Sequence, residues 1–101
     1  MARFTILLSE GVKDDLHTLR AYDRRMLLDA IAMQLAYTPT VAAKRRKLLR
    51  NLTPPFEAIP PIWQLRVGAF RVFYDVHAEA RLVYVRAIRR KPAHQHTEEI
   101  L

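Results

Sequence analysis

Residues 63–91 read WQLRVGAFRVFYDVHAEARLVYVRAIRRK, and this stretch contains three apolar runs separated by two short turn signals. The first turn signal covers residues 67–69 and the second covers residues 77–80. Runs rich in β-branched and aromatic residues, joined by such turns, are typical of consecutive antiparallel strands. The stretch therefore predicts a three-stranded antiparallel meander.

Successive side chains of a strand point to opposite faces of the sheet, so the meander also predicts what each face carries. In its second run the apolar residues share one face: Phe70, Val72, Tyr74 and Val76. Arg71, Phe73 and Asp75 lie on the other face, together with Gln64 and Arg66 of the first run. We expect one face to pack into a core and the other to present spaced cations that can bind an anion.

Upstream of the meander, the pattern predicts one strand and two helices. Residues 3–8 form a short strand-like run, and Ser9 can cap the helix that follows. Apolar residues at helical spacing predict a first helix through Val12, Leu16 and Leu19. They predict a second helix from about Asp23 to Tyr37. Its apolar stripe consists of Leu27, Ile31 and Leu35, joined by Leu28 and Met33. The hairpin of helices must bury its apolar stripes against the sheet. We expect these residues to be largely buried: Leu7, Leu16, Leu27, Ile31, Leu35, Leu65, Val72 and Tyr74.

Three segments have no clear period. Residues 41–52 carry Lys44, Arg45, Arg46, Lys47 and Arg50, and this charge run is either a solvated connection or a footprint for phosphates. The Pro-Pro pairs at 54–55 and 60–61 predict an extended link into the meander. The tail from Pro92, which holds His94 and His96, is expected to be a loop or a short turn.

Composition limits the function classes. The 101 residues suit one domain, residues 1–101, and their net charge of +7 favours a polyanionic partner such as RNA, DNA or an acidic protein, unless the charge serves only solubility. The chain has no cysteine, which excludes disulfides and thiolate metal sites. No apolar run is long enough to span a membrane, so we expect a cytoplasmic protein without membrane contact. We also expect no metal and no cofactor.

The order strand, two helices, three strands, with W-x-L-R-V-G-x-F-R-V-F-Y-D-V at residues 63–76 and V-x-V-R-A-I-x-x-K at residues 83–91, resembles the RelE/ParE toxin superfamily of bacterial toxin–antitoxin modules. The resemblance implies an α+β fold in which a helical hairpin packs on a four-stranded antiparallel sheet, in the order β-α-α-β-β-β. It also implies a toxin that an acidic antitoxin neutralises. RelE-like members cut mRNA in the ribosomal A site, whereas ParE-like members inhibit DNA gyrase and cut nothing.

The resemblance also implies which residues would carry metal-free RNA cleavage. Arg66, Arg71 and Lys91 match basic positions of RelE-like enzymes, with Arg89 and Arg90 close to the last of these. Gln64 stands where RelE itself has a lysine, and no tyrosine follows Tyr84, so His94 or His96 would replace the terminal tyrosine of many members. The expected RNA-binding residues are Lys44, Arg45, Arg46, Lys47, Arg50, Phe73, Arg89 and Arg90.

Several alternatives remain open. Arg66 and Arg71 could only pair with Asp75 or Glu79 across the sheet, as a structural ladder. Phe73 is expected to be exposed beside Arg71, where it could stack on a base or pack under the antitoxin. Three functions compete: a ribosome-dependent mRNA endonuclease, a non-enzymatic inhibitor of gyrase, and an inactive basic binding domain.

Overall fold

The structure, a computed structural model, describes residues 3–92 and 97–101. Within these ranges the elements follow one another as β1 (Thr5–Leu8), α1 (Glu10–Thr18), α2 (Ala21–Leu35), β2 (Arg46–Leu49), β3 (Ile62–Val67), β4 (Phe70–His77), β5 (Leu82–Arg90) and α3 (Thr97–Ile100). The order confirms the predicted strand and two helices, and β3, β4 and β5 are the predicted meander. The structure adds β2 and the short helix α3.

One mixed sheet of five strands, in the order β1-β5-β4-β3-β2, forms the centre of the molecule. β1 runs parallel to β5, and all other neighbours are antiparallel. The predicted α+β class is confirmed, but the sheet has five strands rather than four and is not wholly antiparallel. The extra strand, β2, comes from the charge run Arg46–Leu49, whose residues show no alternation. Its strand conformation comes from pairing with β3, which is a tertiary contact.

Local sequence signals place the ends of the helices. The Ser9 hydroxyl accepts a hydrogen bond from the Val12 N–H at 3.2 Å, so α1 begins at Glu10 as predicted. α2 lies two residues earlier than predicted, at Ala21–Leu35. The Arg24 guanidinium donates to the carbonyl oxygens of Leu16 and Leu19 at 2.9 and 2.8 Å, which ties the end of α1 to the start of α2. This link helps to fix the turn of the helical hairpin.

The main core lies between the helical hairpin and one face of the sheet, which we call the helix-packed face. Seven of the eight residues expected to be buried are buried: Leu16, Leu27, Ile31, Leu35, Leu65, Val72 and Tyr74. The expectation for Leu7 is wrong, since its side chain is 40% exposed while Phe4, Ile6 and Leu8 pack against the core. Alternation along the edge strand β1 turns Leu7 away. Met33 of the predicted α2 stripe is also exposed, at 80%.

The other side of the sheet, which we call the opposite face, carries a second and smaller apolar cluster. Its buried members are Ile62, Phe73 and Ala87, and Leu49, Phe56, Ala58, Ile100 and Leu101 pack against them. The prediction that Phe73 is exposed is therefore wrong, because the side chain is fully buried. Its cover comes from the link between β2 and β3 and from the C-terminal residues. Neither segment has a periodic signal that would reveal this contact in the sequence.

A buried ion pair attaches the link to the opposite face. The Asp75 carboxylate accepts hydrogen bonds from the Arg86 Nε–H at 2.7 Å and from the Ile59 N–H at 2.9 Å. Residues 51–61 form no helix or strand, as the Pro-Pro pairs predicted. The Ile59 hydrogen bond therefore gives this irregular segment a fixed position over β4.

Candidate nucleic-acid interface

Three arginines stand side by side across the opposite face, near the turn between β3 and β4. Arg66 is the direct partner of Arg71 across β3 and β4, and Arg71 is the direct partner of Arg89 across β4 and β5. We call these residues the arginine row. The Arg66 N–H donates to the Arg45 carbonyl oxygen at 2.8 Å, so Arg45 extends the row toward the edge at β2. Directly opposite residues stand about 5 Å apart at Cβ, so one phosphate can be reached from two of them.

The turn that joins β3 to β4 orients Arg71. Its Nη1 donates to the carbonyl oxygens of Gly68 at 2.9 Å and Phe70 at 2.8 Å. Gly68 has a φ of +57°, a conformation that a glycine adopts without steric cost, and this conformation allows the two-residue turn. Both hydrogen bonds use the same nitrogen, so they fix the guanidinium without occupying Nε or Nη2. Partial burial, and then the neighbouring charge of Arg66, lower the pKa of Arg71, which stays protonated at neutral pH as arginines do.

The described carboxylates near the row pair with other groups or with its end. Asp75 pairs with Arg86, and the Asp15 carboxylate reaches Arg89 at 3.5 Å, at one end of the row. Among residues 3–92, 97, 100 and 101, neither Arg66 nor Arg71 forms an ion pair. The interpretation of these two arginines as a structural ladder with Asp75 or Glu79 is therefore wrong. Like charges that face each other across strands destabilise a sheet, so the row does not stabilise the fold by itself.

Lys91 lies beside a second group of cations. Its backbone N–H donates to the Ala69 carbonyl oxygen at 2.7 Å, which places it next to the same turn as the arginine row. The Lys91 side chain lines a surface groove of about 510 Å³, which we call the basic groove. The other residues that line this groove are Lys47, Leu48, Leu49, Arg50, Leu52 and Thr97. The structure thus brings Lys91 together with two cations of the charge run.

Gln64 lies between the arginine row and the basic groove. It neighbours Phe73 on β4 and Lys47 on β2, and its residue exposure is 7%. Its side-chain Oε1 accepts a hydrogen bond from the Thr97 Oγ1–H at 2.9 Å. The C-terminal residues therefore cover Gln64, which leaves it poorly placed to touch a substrate.

The remaining predicted RNA-binding residues divide between the two sides of the sheet. Lys44, Arg45, Lys47 and Arg50 are exposed. Arg46 points to the helix-packed face instead, where its Nη1 donates to the Gln34 Oε1 at 2.6 Å. Arg90 also lies on the helix-packed face, 4.5 Å from the Phe70 ring centroid and 3.8 Å from the Asp23 carboxylate. These two arginines hold helix α2 to the sheet and lie away from the arginine row.

His94 and His96, the predicted replacements for a terminal tyrosine, lie outside the described residues. Sequence reasoning missed three residues near the site: Asp15, Phe56 and Thr97. Arg89 stands 5.9 Å from the Phe56 ring centroid and also reaches Asp15, so an aromatic ring and a carboxylate both hold it. Each of these contacts joins segments far apart in the chain, and no spacing in the sequence signals them.

In the described parts of the chain, no three His, Asp or Glu side chains come together as a possible metal site. Likewise, none of the helices in those parts is long and apolar enough to cross a membrane.

No protein-family model matches the sequence, and no curated protein matches it. Solved structures do match. One is a chain of the toxin–antitoxin complex RelBE2 from Mycobacterium tuberculosis, with a TM-score of 0.68 and 19% identity over 88% of this chain and 99% of that one. Another is a chain of the archaeal RelE–RelB complex from Pyrococcus horikoshii, with a TM-score of 0.68 and 21% identity over 95% of this chain and 100% of that one.

The protein has the RelE fold. The resemblance found in residues 63–91 is therefore confirmed at the level of the fold. The match extends over almost the whole length of both solved chains. In this chain the arginine row lies on the meander of that fold, beside the small apolar cluster of the opposite face.

Proposed function

We propose that this protein is the toxin of a type II toxin–antitoxin module, and that it cuts mRNA on the ribosome in the cytoplasm without a metal ion. The observation that carries the cleavage proposal is the arginine row. Three cations stand side by side on neighbouring strands, and no carboxylate of residues 3–92 pairs with the two at the centre, Arg66 and Arg71. Like charges so close together weaken a sheet, and their guanidinium groups suit a phosphate. The RelE fold, seen in two solved complexes with RelB-type partners, supports the toxin assignment.

Cleavage of RNA by this route needs three groups. A base removes the proton of the ribose 2′-hydroxyl, whose oxygen attacks the phosphorus. Cations stabilise the extra negative charge of the phosphorane, and an acid protonates the 5′-oxygen as its bond to phosphorus breaks. We assign the stabilising role to Arg71, with Arg66 beside it. A guanidinium offers a planar fork of donors to phosphate oxygens, but it cannot act as a base at neutral pH.

Proton transfer is assigned to Lys91 or to one of the terminal histidines. Lys91 is half-buried and follows β5 directly, next to the turn that orients Arg71. An imidazole titrates near neutrality and could serve as base or acid, so His94 and His96 remain candidates from the sequence.

The charge run then becomes the binding surface for the RNA backbone. Its exposed members Lys44, Arg45, Lys47 and Arg50 lie on or beside the edge strand β2, and Arg45 is the one that contacts Arg66. Contacts of this kind with phosphates are independent of base sequence and weaken as salt rises. We therefore assign these residues to binding, and Arg89 to binding at the other end of the row.

The expected site for the antitoxin changes with the burial of Phe73. The sequence predicted an antitoxin segment on the face of Phe73 or on the helical hairpin, and the buried Phe73 offers no anchor. An apolar groove of about 680 Å³ lies between β1 and α2 of the hairpin, lined by residues that include Phe4, Ile6, Leu8 and Leu28. β1 is an edge strand, and an edge strand can accept an added strand from a partner. We propose that an acidic antitoxin segment occupies this groove. Co-expression of the neighbouring antitoxin should restore growth, and arrest that persists with it would contradict the module.

A specific observation favours the second candidate, inhibition of gyrase in the manner of ParE. Gln64 stands at the position where the resemblance places a lysine in RelE, and the structure covers it with Thr97. This position thus supplies neither a base nor an accessible donor.

The deciding measurement is mRNA cleavage on programmed ribosomes by the wild type and by Arg71→Ala. Loss of one donor that stabilises a transition state lowers the rate by about 10²-fold or more. Arg25→Ala is the matched control, since it removes an exposed arginine from α2 and leaves the arginine row intact. Cleavage by Arg71→Ala at the wild-type rate would refute its role, and inhibition of gyrase without any cleavage by the wild type would establish the second candidate.

A further inference from the structure

Two kinds of contact attach the C-terminal residues Thr97, Ile100 and Leu101 to the opposite face. Thr97, at the start of α3, donates its hydroxyl to the Gln64 side chain at 2.9 Å. Ile100 and Leu101 pack against the small apolar cluster. One contact is a single polar bond and the other is apolar packing, so the two can be tested separately.

The polar contact is notable because of where Gln64 lies. An amide side chain at 7% exposure, next to the buried Phe73, loses most of its contact with water. A buried amide oxygen without a hydrogen bond is costly, and the Thr97 hydroxyl satisfies it. The placement of α3 is therefore coupled to the side chain at position 64.

The attached helix also forms one wall of the basic groove. Thr97 lines the groove together with Lys91 and with the β2 cations Lys47 and Arg50. If the hydrogen bond to Gln64 were lost, this wall would move more freely and the spacing between Thr97 and the cations would vary. A groove of varying width binds a phosphate strand less tightly, because binding must then also order the wall.

We infer that Gln64 is a positioning residue, which holds the C-terminal helix α3 as a fixed wall of the basic groove and thereby supports binding of the RNA backbone. This inference rests on the proposed function for its substrate. It differs from the reading of Gln64 as a catalytic position that has lost its lysine. A lost catalytic position should regain activity with a lysine, whereas a positioning amide should not.

The first test changes Thr97, which touches no part of the proposed cleavage chemistry. Thr97→Val removes the hydroxyl at constant shape, and Thr97→Ser keeps it. On programmed ribosomes, we expect Thr97→Val to raise KM by about 3- to 10-fold with kcat changed less than twofold, on the scale of one hydrogen bond. Thr97→Ser should behave as the wild type. Thr40→Val is the control, because Thr40 is exposed in the turn after α2 and lines neither the basic groove nor the groove between β1 and α2.

The second test changes Gln64 alone and then Gln64 together with Thr97. Gln64→Ala should raise KM as Thr97→Val does, and the double variant should show no more than the larger single effect, since both remove one bond. Gln64→Lys should not raise kcat. A higher kcat in Gln64→Lys, or additive effects in the double variant, would overturn the inference.

The third test needs no RNA. Carboxypeptidase removes Leu101 and Ile100 only when the C-terminal residues leave the sheet, so its rate reports how firmly α3 is held. We expect trimming to be about 3- to 10-fold faster in Thr97→Val and Gln64→Ala than in the wild type and Thr97→Ser. Equal trimming in all four proteins would overturn the inference. A wild type that cuts no mRNA would instead overturn the proposed function, and trimming would still decide whether Gln64 holds α3.

Discussion

The two faces of the sheet are built from the same strands but differ in what covers them. The helix-packed face lies wholly under α1 and α2, and its large core includes Leu27, Leu65 and Tyr74. The opposite face is divided: a small cluster around Phe73 lies under the link and α3, and the arginine row lies beyond that cover. Binding groups therefore occur where the cover ends. A fully covered face has no room for them, since charges are costly to bury.

The difference also separates two roles along one strand. On β4, Arg71 and Phe73 point to the same face two residues apart, yet one is half-buried among cations and the other is fully buried. The boundary between the arginine row and the small apolar cluster thus passes between them. We expect this division to show in the free energy of unfolding of variants on the two faces.

The largest effect is expected for Phe73→Ala. Removal of a fully buried ring leaves a cavity, and we expect the free energy of unfolding to fall by about 3–5 kcal/mol. Arg71→Ala on the same face should change it by no more than about 0.5 kcal/mol. Urea unfolding of both variants measures the contrast. Equal effects would show that the opposite face is not divided between these two residues.

Next comes Asp75→Asn, which tests how the link is held on the opposite face. The Asp75 side chain is 1% exposed and that of Arg86 is 13% exposed, so the change leaves a buried guanidinium without its counter-ion. We expect a loss of about 3 kcal/mol in the free energy of unfolding. The double variant Asp75→Leu/Arg86→Met should be less destabilised than the single one, since it removes both charges. A double variant with a lower free energy of unfolding than Asp75→Asn would instead show that the ion pair stabilises the fold more than apolar side chains in its place.

A smaller loss than for Phe73→Ala or Asp75→Asn is expected on the helix-packed face, for Tyr74→Phe. The Tyr74 hydroxyl donates to the Pro39 carbonyl oxygen at 2.6 Å, and its loss should lower the free energy of unfolding by about 1 kcal/mol at pH 7. Burial raises the pKa of Tyr74 above its ordinary value, partly offset by Arg46. The folded state therefore keeps the proton more firmly than the unfolded state does.

That shift gives a pH dependence with a definite sign. The stabilisation is complete below the unfolded tyrosine pKa of about 10 and is lost as the pH rises above it toward the folded pKa. The wild type should thus lose stability above about pH 10 more steeply than Tyr74→Phe. Urea titrations of both proteins from pH 8 to pH 11 give the difference, and parallel curves would contradict the pKa assignment.

The amino-acid sequence by itself determined the periodic parts of this protein. Strand alternation in residues 63–91 predicted the meander, and it placed Arg66 and Arg71 on the face away from Val72. Helical spacing and the Ser9 cap predicted α1 and α2 within two residues. These signals work because the local backbone geometry of a helix or strand fixes the direction of each side chain, so the spacing of apolar residues along the sequence reveals the element.

Tertiary structure decided what the period does not encode. β2 forms from a charge run because β3 offers it an edge, and Phe73 is buried because Phe56 and the C-terminal residues cover it. In the same way, Arg46 turns away from the opposite face to reach Gln34, and Gln64 is joined to Thr97. Each of these outcomes is a contact between segments far apart in the chain. The sequence supplied the cations and their faces, but only the packing of non-periodic segments decided which of them remain open to a phosphate.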